Sequence, residues 1–450
     1  MTVLNSAAVP SPGRPAGQYP AGPAATDTDD TDHAGPLSVD AAYARSHRAA
    51  LADSAIGPVG LELETHLIDL DAVASRVDWD RAGELPEIVA AVGGRSAVTL
   101  EPGGQLELSG PPASDILAAI AELRHDGQGT RLALARRRLG LAYAGADPLR
   151  AARRVNPRPR YRAMEQHYAA TGRGGPGAVM MTSTAALQIN LQAGPRQGWP
   201  ERVARAHRLG PTMVAISASS PWLAGRDTGW KSARQRAWGG LDARACGPVP
   251  GCVGASVEAD AGLDPAAAWA SFALHAPVAF VRRAGDDVGA VRAPVTFEEW
   301  ASGAVRLDGR RPTTADLDVH LTTLFPPVRF RGYLELRYLD MTAPRWWPAI
   351  AAVVTTLMDD PVAADLATEA TEGTTPLWAQ AAQYGLGHPQ LAESARRCLG
   401  IAAGRVPADI APAVADLAEL VESGRCPGDL LARRIEKIGP CAALEELAHA

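Results

Sequence analysis

Four short segments of this 450-residue chain alternate acidic or amide residues with leucine or isoleucine. Side chains along a β-strand point to opposite faces with a period of two. The segment GLELETHL therefore predicts a strand with Glu62, Glu64 and His66 on one face and Leu61, Leu63 and Leu67 on the other. In LEPGGQLELSG, Gln105, Glu107 and Ser109 align, with Glu101 just before a Pro-Gly-Gly bend. In ALQINLQ, Gln188, Asn190 and Gln192 oppose Leu187, Ile189 and Leu191, and in GYLELRYL, Glu335 and Arg337 oppose Leu334, Leu336 and Tyr338. No lysine stands inside these strands to neutralise the carboxylates. Glutamates gathered on one sheet repel unless cations lie among them. Hard divalent ions with oxygen ligands meet that need. Mg2+ with nucleotide phosphates suits it better than an all-protein Ca2+ cage.

What is absent narrows the chemistry further. No G-x-x-x-x-G-K-[ST] loop, strand-linked G-x-G-x-x-G, G-x-S-x-G elbow or H-E-x-x-H occurs. The glycine-rich GRGGPGAVMM, Gly172 to Met181, reads as a turn before a strand. A net charge of -6 argues against a scaffold that binds nucleic acid by neutralising phosphates. No apolar run approaches the roughly 20 residues that span a bilayer, and the N-terminus does not read as a signal peptide. Five scattered cysteines without C-x-x-C fit reduced thiols in a cytoplasmic protein. Cys246 and Cys252 read as two free thiols in a loop.

Residues 1–39 hold almost no large apolar side chains and are expected to form a disordered tail. Residues 40–450 are expected to form a single catalytic domain with helices packed on a sheet. Helical spacing is clear from Asp40, from Asp115 to Gly145, from Arg202 to Ser217, and in Ala/Leu-rich pieces after residue 361.

The segments GLELETH, TLEPGGQLELSGPP, NPRPRYRAME, TSTAALQINL, WKSARQRAWGGLDARACG and LFPPVRFRGYLELR stand in the order found in the glutamate–cysteine ligases of the plant and proteobacterial type. The chain resembles that family over residues 40 to 440, and within it the EgtA-type actinobacterial branch that feeds ergothioneine synthesis. The resemblance implies an α+β, glutamine-synthetase-like fold: a curved, mostly antiparallel sheet forming a funnel with helices behind. It implies ATP and Mg2+ as cofactors, with L-glutamate and L-cysteine joined through γ-glutamyl phosphate. By motif match, Glu62, Glu64, Glu101, Glu107 and Glu335 are similar to the family's metal ligands, and Arg337 to the arginine on the transferring phosphate. Gln188 and Asn190 match a site-lining strand whose amides suit nucleotide or glutamate hydrogen bonds. Arg234 and Arg244 resemble the family's substrate-loop arginines, with Trp238 as a wall of the amino-acid pocket. The family often reads Arg-Thr-Gly where this chain has Arg244, Ala245, Cys246 and Gly247.

The arginines between Arg150 and Arg162 are expected to form a solvated basic loop, and His66 to be a satisfied histidine or a support for a ligand. Rival readings are a ligase of the same fold that uses another amine, a guanidino kinase, or a nucleotide-binding regulator without turnover.

Overall fold

The computed structural model describes residues 35–252 and 264–449. The first 34 residues of the expected tail lie outside the described residues. The first helix is Val39–Ala50, and the hydroxyl of Ser38 caps it by accepting from the Ala41 N–H at 3.2 Å.

The alternating segments all enter one seven-stranded antiparallel sheet. Its strands are β1 (Val59–Asp69), β2 (Ala97–Leu100), β3 (Leu106–Ser109), β4 (Leu139–Ala142), β5 (Ala186–Gln192), β10 (Val328–Phe330) and β11 (Tyr333–Asp340). Two small hairpins lie apart, β6 (Trp222–Leu223) with β7 (Arg226–Asp227) and β8 (Phe280–Arg282) with β9 (Val288–Ala290). The main order is β10-β11-β5-β1-β3-β2, and β4 joins the far end of β1. Strand β1 pairs with β3 through Thr65 and with β4 from His66 onward.

One face of this sheet is continuous hydrocarbon. Leu63 lies opposite both Leu108 and Leu187, Leu61 opposite Ile189, and Leu336 opposite Ile189 from the other side. All are buried, and each contributes about 1.5–3 kcal/mol relative to exposure. The helices Ile116–Ala135, Trp199–Ser217 and Trp347–Asp359 cover this face. The last is apolar nearly all round, because outer helices in turn enclose it. Gly210 lets the Trp199–Ser217 helix meet Trp378, whose ring stands 2.0 Å from where a β-carbon would be.

Two local expectations are corrected. Gly172 to Met181 is not a turn before a strand, since Gly174–Ser183 is a helix. Close packing outweighs the weak helix propensity of its glycines: a β-carbon on Gly177 would lie 2.5 Å from the Tyr168 ring of the preceding helix. The long helical run from Asp115 stops at Ala135, and Arg138, with φ of 58°, turns the chain into β4.

Candidate active site

The opposite face of the sheet carries the polar residues in the register that the alternation predicts. Glu62 faces Ser109 on one side and Gln188 on the other, while Glu64 faces Glu107. Glu335 on β11 faces Asn190 on β5. The neutral amides of β5 thus lie between the glutamates of β1 and the ion pair of β11. Asn190 donates to Glu62 and Gln188 to Glu64, each at 2.8 Å. The backbone N–H of Ala186 also donates to Glu64 at 2.8 Å, and Gln188 accepts from Arg337. Both amides are therefore engaged within the face itself, and Asn190 keeps only its buried side-chain oxygen unpartnered.

Glu101 reaches the same face from the bend after β2. Its N–H donates to the Gln105 carbonyl at 2.9 Å, closing the Pro102–Gly104 turn, where Gly104 has φ of +83°. Gly103 is required because a β-carbon would stand 2.2 Å from the Thr182 carbonyl oxygen. Gln105 pins the turn from below by donating to the Thr184 carbonyl at 2.9 Å. Arg76 pins it from behind, with hydrogen bonds to the Gly103 carbonyl, the Ala151 carbonyl and the Ser183 hydroxyl. His66 faces this buried support, not the open carboxylates: Asp147, Arg150 and Arg76 are its charged neighbours, and burial pushes it down to about 4.

The carboxylates separate into two electrostatic groups. Burial first, and then Glu107 and Glu335, push Glu62 up to about 8. Burial and Glu107 push Glu64 up to about 7, and burial with Glu107 and Glu64 raises Glu101 well above the carboxylate range. Glu335 behaves oppositely. Burial alone would raise it, but Arg329 and Arg337 overcome that penalty and hold it well below the ordinary range. Arg329, opposite Glu335 in the β10–β11 register, grips both of its oxygens, and Arg337 pairs with it at 3.1 Å. Of the five glutamates expected to meet metal, Glu335 is thus the one held by paired arginines. Among the described residues, no three acidic, histidine or cysteine side chains converge closely enough to hold one ion by themselves.

Beyond β11 stands the helix Ala233–Gly239. Arg234 is buried, donates to the Arg337 carbonyl at 2.7 Å, and leaves its Nε and Nη1 without a hydrogen-bond partner. Its guanidinium lies 5.6 Å from the Trp238 ring and that of Arg337 lies 6.0 Å from the same ring, both within cation–π range. Trp238, Phe325, Cys246, Trp230, Trp378 and Arg337 line part of a cavity of about 470 Å³, within the range of small-molecule sites. Arg244 is not brought here: it is half exposed and ion-paired to its own neighbour Asp242 at 2.7 Å. The expected solvated basic loop is corrected at two positions, since Arg150 is buried on Asp147 at 2.7 Å and Arg160 is turned inward, bonding Thr322 and lying over Phe280, while Arg158 and Arg162 are exposed.

Arg329 is the site residue that sequence reading missed. A hairpin turn at Arg331–Gly332, where Gly332 has φ of +78°, would have placed it opposite Glu335.

With this geometry in view, residues 58–446 match the model of glutamate–cysteine ligase family 2. The glutamate–cysteine ligase EgtA of Mycobacterium tuberculosis is 50% identical over 400 residues, covering 89% of this chain and 91% of that protein. The EgtA of Mycolicibacterium smegmatis is 49% identical over 411 residues, covering 91% and 95%. Among solved structures, a glutamate–cysteine ligase of Francisella tularensis in complex with AMP superposes with a TM-score of 0.56 at 12% identity. That match covers 88% of each chain and is a likeness of fold. Among the described residues, no helix is long and apolar enough to cross a membrane.

Proposed function

This chain belongs to glutamate–cysteine ligase family 2, and from that premise we propose that it joins the γ-carboxylate of L-glutamate to the amine of L-cysteine at the expense of ATP. The observation that carries the reading is the polar sheet face, where four half-buried glutamates adjoin Arg337 and a cavity that reaches the same arginine. The product is γ-glutamylcysteine, a precursor in ergothioneine synthesis on the resemblance to the EgtA branch. Residues 40–450 act as one catalytic domain in this reading.

Glu62, Glu64, Glu101 and Glu107 would hold Mg2+. Their fit rests on the donor chemistry: hard oxygens in mutual repulsion, partly open, and spread out, not converged on one point. Mg2+ is ordinarily bound by one or two carboxylates together with water and phosphate oxygens, so a spread set suits it. Bound there, it would neutralise charge on the phosphates. Glu335 has another task in this scheme. With Arg329 it sets the Arg337 guanidinium, and Gln188 fixes that guanidinium from β5.

In the first step the γ-carboxylate oxygen of glutamate attacks the γ-phosphorus of ATP, the bond to the β–γ bridging oxygen breaks, and ADP leaves. Arg337 would stabilise the charge spread over the equatorial oxygens; its planar fork meets phosphate bidentately and stays charged. In the second step the cysteine amine attacks the acyl carbon and phosphate leaves. The buried, unpartnered N–H groups of Arg234 suit the α-carboxylate of glutamate, against the Trp238 ring. The apolar wall of Trp238 and Phe325 suits the side chain of the acceptor.

The test is ADP release with ATP, Mg2+ and L-glutamate across a panel of amines, with products identified by mass. Cysteine-dependent turnover giving γ-glutamylcysteine is the expected result. Turnover with a different amine alone would overturn the acceptor, and none with any amine would overturn the ligase reading.

A further inference from the structure

Strand β11 changes register with β5 between Leu336 and Leu339. At that point two of its carbonyls accept from side chains of the Ala233–Gly239 helix: Arg234 reaches the Arg337 carbonyl at 2.7 Å and Gln235 the Tyr338 carbonyl at 2.8 Å. Bulges re-aim groups next to active sites. Here the two carbonyls at the register change are the ones that meet the element bearing Arg234.

Just past the bulge, Asp340 is fully buried and closes the same element from its other end. One carboxylate oxygen accepts from the Ser219 N–H at 2.9 Å and the Ser220 hydroxyl at 2.6 Å. The other accepts from the Ser232 hydroxyl at 2.8 Å. Ser232 is the N-cap of the helix, accepting from the Gln235 N–H at 3.0 Å, and Ser220 accepts from the Arg234 N–H at 3.2 Å. Both arms of the loop 219–233 therefore end on one carboxylate, which also stands 3.9 Å from the Arg234 guanidinium. The space is closed behind it, since a β-carbon on Gly145 would lie 2.6 Å from the Asp340 carboxyl carbon.

We infer that Asp340 is a positioning residue for Arg234, fixing through Ser219, Ser220 and Ser232 the guanidinium that receives the substrate carboxylate. It touches no substrate. The inference rests on the ligase reading above and assigns to Asp340 the glutamate half of the site, leaving the nucleotide half to the sheet face.

The test compares KM for glutamate with KM for ATP. The natural chain is assayed first, and absence of glutamate-dependent ADP release there sinks the ligase reading, not the role of Asp340. Asp340→Ala is expected to raise KM for glutamate by about tenfold or more, the scale of charged hydrogen bonds lost, with KM for ATP unchanged. Asp340→Asn should recover part of the loss, because its amide oxygen still accepts from Ser219 and Ser220. Gly145→Ala, which leaves the carboxylate in place but pushes on it, should produce the same split. The double variant Asp340→Ala with Gly145→Ala should be no worse than Asp340→Ala, because the added methyl then has room. Both KM values rising together, KM for glutamate staying put, or additive effects in the double variant would each overturn the inference. If Asp340→Ala does not fold, Ser232→Ala carries the test: the same split in miniature supports the role, and an unchanged KM for glutamate refutes it.

Discussion

Glu64 on β1 stands directly opposite Glu107 on β3, between the pairs Leu63–Leu108 and Thr65–Leu106. Neither carboxylate is free to swing away. Glu64 is held by the Ala186 N–H and Gln188, and Glu107 accepts from Thr99 at 3.2 Å and from Ser109 at 2.7 Å. Like charges directly opposite in an antiparallel pair destabilise the sheet. The hydrogen bonds that keep these two in place thus preserve a repulsion between them, which the proposed Mg2+ would relieve.

Replacing Glu64 by Gln separates stability from activity at this pair. The amide keeps the shape and removes one charge, but its NH2 must face one of the two donors that hold Glu64. Relief of about 0.2–1 kcal/mol of repulsion is therefore offset by a lost hydrogen bond, and the metal-free protein should stay folded without a gain in stability by denaturant unfolding. ADP release should fall by at least about 100-fold through loss of a ligand. A variant that turns over at the normal rate would remove Glu64 from the metal set.

The same carboxylates set a pH dependence whose sign is fixed. Glu62 and Glu64 are raised in the folded state, to about 8 and about 7, so between their unfolded values and these the native state holds more protons than the unfolded one. Stability then falls as pH rises. Buried His66, His207 and His320, lowered to about 4, oppose this only below their unfolded value of 6.5. Metal-free protein should therefore lose stability from pH 6.5 to 8, and Mg2+ should restore most at the alkaline end. Thermal unfolding with Mg2+ or with a chelator across this range is the measurement, and a flat metal-free profile would contradict it.

Gly103→Ala probes the bend that delivers Glu101. The added methyl would meet the Thr182 backbone, which cannot yield as a flexible side chain does. Overpacking of this kind costs about 1–3 kcal/mol. The bend and Glu101 should shift together, so the Mg2+ concentration needed for half-maximal ADP release should rise along with the loss of thermal stability. Loss of stability with unchanged Mg2+ dependence would detach the bend from the metal site.

Much of this face was legible because strand alternation is a rule of backbone geometry. Glu62, Glu64, Glu107, Gln188, Asn190, Glu335 and Arg337 share the polar side that the period of two predicts, and the Leu/Ile side forms the core. Partners across strands were less accessible. Alternation tells which side Glu335 faces but not that Arg329 lies opposite it, because that depends on where the hairpin turns. The Gly174–Ser183 helix was hidden for a related reason. Its glycines read as flexibility in isolation, and only the Tyr168 ring shows that Gly177 serves close packing. Nor does any local pattern reveal Asp340, whose three serine partners are more than 100 residues away in the chain.

Arg234 and Arg244 provide the sharpest contrast, because they stand ten residues apart in the chain and the structure treats them differently. Arg234 is buried with two unpartnered N–H groups beside Trp238, whereas Arg244 pairs with Asp242 at a half-exposed edge. An exposed pair of this kind contributes about 0–1 kcal/mol, so Arg244→Ala should leave stability and KM for glutamate nearly unchanged. Arg234→Lys preserves the charge but not the fork: the three N–H groups of lysine radiate from one nitrogen, so they cannot hold the Arg337 carbonyl and also meet a carboxylate with the planar spacing of the guanidinium. It should raise KM for glutamate by about tenfold or more, the loss expected of charge-assisted hydrogen bonds, with KM for ATP little altered. Steady-state kinetics on the two variants side by side decides the matter. A rise confined to Arg244→Ala would move the glutamate carboxylate to the outer edge of the cavity, away from the guanidinium that β11 holds in place.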